Sequence, residues 1–243
     1  IMNGTYLLIF KTVSVARPKK TQETDMGFLR KITLLLIVSM GISFSIRVTG
    51  TLFPLIFKPV FMVKGTILFN AAFILIHVIF WLVFYREYIL KTKKTLKEIC
   101  MAAVIGSFAV SVIYLRKLPF VFGMTVQFPD FMIHPFYDAV VPLIGSVSHL
   151  VFFAAFKRAL SDDEKPWLNR SVSAMIMGIG LFVFFHVMVL FNFIAFRQFE
   201  WLEHMPRGIA VGTVPLVIAA VLSMLYFYFR FYRFLDFENS TGK

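Results

Sequence analysis

Residues 137–156 read Tyr137-Asp-Ala-Val-Val-Pro-Leu-Ile-Gly-Ser-Val-Ser-His149-Leu-Val-Phe-Phe-Ala-Ala-Phe156. A run of about 20 mostly apolar residues is what a helix needs to cross the hydrocarbon core of a bilayer. Inside this run, His149 lies eight residues from Lys157, the nearest charged exit. An ionisable side chain at that depth is costly, and such residues face a bundle interior or a water-filled cavity. Offsets of 4 and 11 residues from Asp138 reach Pro142 and His149. At about 3.6 residues per turn they return to nearly the same angle, and with Ser146 they form a stripe about 80° wide.

Five more stretches outside this one have the same character, at 29–46, 65–85, 99–115, 172–196 and 209–229. The chain of 243 residues is 59% hydrophobic and only 16% charged, whereas soluble domains carry about 25% charged residues. Backbone amides in lipid must be satisfied within their own segment, so these spans are helices. The expectation is an all-α integral membrane protein: one six-helix bundle over residues 26–243. Residues 1–25 read as a disordered cytoplasmic tail or a gene-model extension, because Met26-Gly-Phe-Leu-Arg-Lys before an apolar run has the form of a natural start.

The net charge of +12 acquires meaning from its placement. With a cytoplasmic N-terminus, 18 of the 25 Lys and Arg residues fall on the inner side. The outer side holds Arg47, Lys58, Lys64, Arg116, Lys117, Arg197 and Arg207. The positive-inside rule therefore puts both termini in the cytoplasm of a cell whose plasma membrane or endomembranes hold this multi-pass chain. The basic charge serves topology and attraction to anionic lipid; no basic patch on a folded platform supports binding to nucleic acid. The single cysteine, Cys100, excludes an internal disulfide and a thiolate metal site. The glycosylation sequons at Asn3, Asn169 and Asn239 fall on the inner side and are expected to stay unused.

Two spans carry polar stripes. Beside that of the fourth span, Thr66, Asn70 and His77 of the second fall within about 40° of one another. Interhelical hydrogen bonding is the ordinary use of such residues. Counting from the inner face, His77 is nine residues from Arg86 and His149 eight from Lys157, so the two histidines share a depth. Two imidazoles from different helices at one depth are what a bis-histidine haem or a metal ion would use. Thr66 is 20 residues from Arg86, which places it about 18 Å from the depth of His149. In the sixth span Gly208, Gly212, Pro215, Ala219 and Ser223 form a small-residue face suited to close helix packing.

The segment Met132-Ile133-His134-Pro135, followed by Asp138, Pro142 and His149, resembles the androgen-induced and androgen-dependent TFPI-regulating membrane proteins. Leu202-Glu203-His204 before the last span is similar to a segment of that family, as is the pair Lys64 and Asn70 at the start of the second. The resemblance runs from about residue 64 to 229. It implies an intramembrane hydrolase of lipid esters, namely fatty-acid esters of hydroxy fatty acids, with a threonine nucleophile and a histidine base. His149 would be the histidine and Thr66 the candidate nucleophile, with no cofactor and with the lipid substrate entering from the bilayer. Two other readings stand beside it: a non-catalytic transport or scaffold protein, and a bis-histidine haem or metal protein built on His77 and His149.

Overall fold

The computed structural model describes residues 26–52, 59–92, 94–124, 135–160, 166–196 and 207–241. The expected tail at 1–25, the Met132–Pro135 end of the outer loop and the Leu202-Glu203-His204 segment lie outside them or carry no described side chains. Six long helices account for most of the described chain: α1 (Met26–Leu52), α2 (Pro59–Glu87), α3 (Lys94–Leu115), α4 (Pro135–Ala159), α5 (Pro166–Phe196) and α6 (Arg207–Thr241). Each contains a stretch long and apolar enough to cross a membrane, so this is an integral, multi-pass, all-helical membrane protein. A 3-10 turn at Ile89–Lys91 links α2 to α3. After α3 a single turn, Leu118–Val121, ends at Gly123, whose φ of 69° is open to glycine at little cost.

Each helix packs on its neighbours in sequence, and α6 closes back on α1, giving a ring in chain order. Arg30, early in α1, donates to the hydroxyl of Tyr232, late in α6. Tyr88, just past α2, meets Phe156 of α4 and Phe231 of α6. These contacts gather the start of α1 and the ends of α2, α4 and α6 at one basic end, the end that the charge rule assigns to the cytoplasm.

The middle of the ring is filled with aromatic rings. Phe80, Trp81 and Phe84 come from α2, Phe152, Phe153 and Phe156 from α4, and Phe227, Tyr228 and Phe231 from α6, all buried. Offsets of three and four residues turn each trio to one face. The rings meet edge to face, as in Phe80–Tyr228 at 5.3 Å, Trp81–Phe152 at 5.1 Å and Phe153–Phe227 at 5.1 Å. Such pairs contribute about 0.5–1.5 kcal/mol beyond area. That directional term matters here, because lipid tails are as apolar as the core and burial alone gives helices little reason to associate. Ile105, Phe108, Ile144 and Phe191 point outward, where lipid replaces water as their solvent.

Glycines let α3 and α4 approach closely. A Cβ added to Gly145 would come within 2.7 Å of Val110 Cγ2 and 3.4 Å of the Gly106 carbonyl oxygen. Gly178 of α5 is held as tightly against Ala220 and Ser223 of α6. Ser223 therefore serves packing, as the small-residue face of the last span led us to expect, while Gly208 and Gly212 lie outside the described side chains.

Candidate active site

Phe73, His77 and Trp81 succeed one another at four-residue intervals, so α2 presents them as one column. Trp81 Nε1–H donates to His77 Nε2 over 2.9 Å. Since indole nitrogen can only donate, His77 Nε2 is the bare nitrogen and the proton of the neutral ring sits on Nδ1. The His77 ring stacks on Phe73 at 5.8 Å and, across the helix interface, on His149 at 5.3 Å with the planes 20° apart. The indole of Trp81 closes a second side of His149, with ring centroids 4.7 Å apart. The two histidines thus share a depth and are in contact.

His149 is held at both nitrogens. Its Nδ1 hydrogen-bonds the carbonyl oxygen of Gly145, one turn back on α4. A carbonyl can only accept, so Nδ1 carries the proton and Nε2 of the neutral ring is an acceptor. Facing that acceptor, 2.8 Å away, is the hydroxyl of Ser107 on α3. The result is a relay from hydroxyl to imidazole to a fixed carbonyl. Ser107 is 2% exposed and His149 7%, so both are shielded from any competing solvent. The Gly106–Gly145 approach is what makes the relay reachable. With both glycines lacking a Cβ, the backbones come close enough for a one-carbon hydroxyl side chain to span the gap.

The other expected site residues are placed elsewhere. Asp138 lies 11 residues from His149, about 16 Å along α4, and pairs with Arg116 and Lys117 beyond the end of α3. Asn70 accepts a hydrogen bond from Ser43 Oγ over 2.8 Å and so ties α2 to α1. A further histidine of the spans, His186 of α5, donates to the Phe182 carbonyl on its own helix. Thr66 falls within α2, but its side chain is outside the described ones. Its position is 11 residues from His77, about 16 Å up the helix from the residue that touches His149.

No protein-family model matches the chain, and neither the curated proteins nor the solved structures contain a match to it.

A metal or haem between the two imidazoles does not suit this arrangement. Ligation needs one free nitrogen from each ring converging on a single centre at about 2.0–2.1 Å. Here the rings stack face to face, and both nitrogens of His149 and Nε2 of His77 already hold protein partners. Among the described residues, no group of three or more His, Cys, Asp or Glu converges on a common point.

Ser107 was not singled out in the sequence, although the signal was present. It is ten residues from Lys97, close to the depth count of His77 and His149. It also follows Gly106 in a span whose other residues are mostly large and apolar.

Proposed function

We propose that this protein hydrolyses a lipid ester within the bilayer, with His149 as general base. The observation that carries the reading is the 2.8 Å bond between Ser107 Oγ and His149 Nε2, with Nδ1 fixed on Gly145. A hydroxyl is a weak nucleophile until an adjacent base takes its proton, and a third group must hold that base in the right tautomer. All three roles are filled by residues in contact. On this reading Ser107 is the hydroxyl that His149 serves, and Thr66, the nucleophile implied by the resemblance, is the comparison residue.

The steps follow from the tautomers. The Ser107 oxygen forms a bond to the ester carbonyl carbon while its proton passes to His149 Nε2. The tetrahedral intermediate collapses, the C–O bond to the alcohol breaks, and His149 returns the proton to the leaving alkoxide. Water then gives a proton to Nε2 and attacks the acyl-serine, which releases the acid and restores the Ser107 hydroxyl with the proton from Nε2. While His149 is charged, its Nδ1–H stays on the Gly145 carbonyl. A greasy substrate reaches this depth by moving sideways between helices whose outer faces are already apolar.

One observation favours a second reading, in which the relay only joins helices. Ser107 and His149 are both nearly inaccessible, as interhelical hydrogen bonds in membranes usually are. Labelling of the purified chain by a fluorophosphonate probe separates the two. We expect adduct formation on Ser107, lost in Ser107→Ala and His149→Ala and kept in Thr66→Ala. Adduct on Thr66 would move the nucleophile to α2. No adduct, together with lowered thermal stability in Ser107→Ala, would leave the relay as helix packing.

A further inference from the structure

Just beyond α3, at the end of the bundle opposite the basic one, two cations share one anion. The Asp138 carboxylate gives Oδ1 to Arg116 Nη2 and Oδ2 to Lys117 Nζ at 3.2 Å, so both of its oxygens are committed. The Arg116 side chain is only 9% exposed, and its Nη1 is fully buried and meets no acceptor among the described residues. A buried guanidinium edge without a partner is costly, and the trio keeps one net positive charge where α3 and α4 reach the membrane surface. Lys117 adds a second partly free donor: its ammonium, on a side chain 38% exposed, also lies 5.6 Å from the Tyr114 ring.

We propose that Arg116 and Lys117 form a binding site for the oxyanion of a lipid, a carboxylate or a phosphate, with Nη1 as the buried donor. Two chemical facts select that class. The planar edge of a guanidinium matches the paired oxygens of carboxylate and phosphate, and among the described residues Asp138 is the one acid paired with these donors, which leaves a surplus positive charge. The position fits a lipid rather than a free anion: both helices continue from here into the hydrocarbon region, so a ligand's chain would lie along Ile105, Phe108 and Ile144, which already face outward. Asp138, read in sequence as part of the His149 stripe, instead positions these cations. The site does not depend on catalysis at Ser107, so either reading can fail alone.

The test uses the full chain in nanodiscs of neutral phosphatidylcholine. Two photoreactive probes carry a diazirine near the polar group: oleate and phosphatidic acid. We expect at least one to crosslink to peptides spanning 110–118 and 136–143, with competition by its unlabelled form and none by methyl oleate. Arg116→Lys keeps the ion pair to Asp138 but removes the second fork, and should weaken capture about tenfold. Arg233→Gln, at the basic end, should leave it unchanged. Oleate alone would identify a carboxylate lipid, and phosphatidic acid alone a phosphate head group. Equal capture of the methyl ester, or no effect of Arg116→Lys, would overturn the proposal and leave Nη1 to water.

Discussion

A Cβ placed on Gly106 would lie 2.5 Å from Ser148 Oγ and 3.2 Å from Gly145 Cα. The backbones of α3 and α4 therefore cross in near contact, at the residue before Ser107 and four before His149. Packing and candidate chemistry depend on the same two missing methyl groups.

Gly106→Ala should consequently damage both. Overpacking of this kind costs about 1–3 kcal/mol, and any separation of α3 from α4 stretches the Ser107–His149 bond. Gly41→Ala is the control, since nothing lies within 4 Å of a Cβ there. Alanine is the better helix former by about 1 kcal/mol. Thermal melts in detergent should show Gly106→Ala lowered and Gly41→Ala unchanged or raised. Equal melts for the two glycine variants would mean that α3 and α4 do not cross this closely.

Trp81→Phe tests the second histidine. The change keeps an aromatic ring in the core but removes the N–H that fixes the His77 tautomer. We expect a stability loss of about 1 kcal/mol and a several-fold fall in ester turnover, with binding of lipid little altered. Nitrogen chemical shifts of His77 should change from one defined tautomer to a mixture. A single unchanged tautomer would show that the indole does not hold the ring.

The six spans were legible because a stretch of about 20 apolar residues has almost no other use, and the equal depth of His77 and His149 followed from counting residues to Arg86 and Lys157. The role of Asp138 was not legible. Sharing an angle with His149 says nothing about 16 Å of rise, and its partners Arg116 and Lys117 lie across a helix interface. Ser107 was missed for a related reason. A serine is cheap to bury in a helix because it can bond its own backbone, as Ser111 does with Phe108. Its depth and the neighbouring Gly106 mark the position of Ser107, but they do not show that its hydroxyl reaches across to His149 instead of back to its own helix. That difference resides in the Gly106–Gly145 crossing, which is a property of two helices.

Orientation is open to direct measurement. The 18-to-7 division of Lys and Arg predicts that a cysteine at Lys94 is shielded from an impermeant thiol reagent in intact cells while one at Met124 reacts. Both positions are exposed, and the native Cys100 is buried, so background labelling should be low. Reaction at Lys94 with protection at Met124 would invert the bundle.

The sharpest test is a double-mutant cycle on Ser107 and His149. If the hydroxyl and the imidazole act as one unit, Ser107→Ala and His149→Ala each remove most of the chemistry, with a general base alone contributing about 10²–10⁴-fold. The double variant should then be no slower than the worse single one, since residues of one relay are strongly non-additive. Stability should show a much smaller coupling, about 0.6–1.7 kcal/mol, as interhelical hydrogen bonds in membranes do. Thr66→Ala should combine with either change additively and with little effect. Losses of activity that multiply in the Ser107–His149 double variant would mean two independent roles. Turnover unchanged in both single variants, with the stability coupling intact, would reduce the relay to a bond between two helices and send the search for a nucleophile back to Thr66.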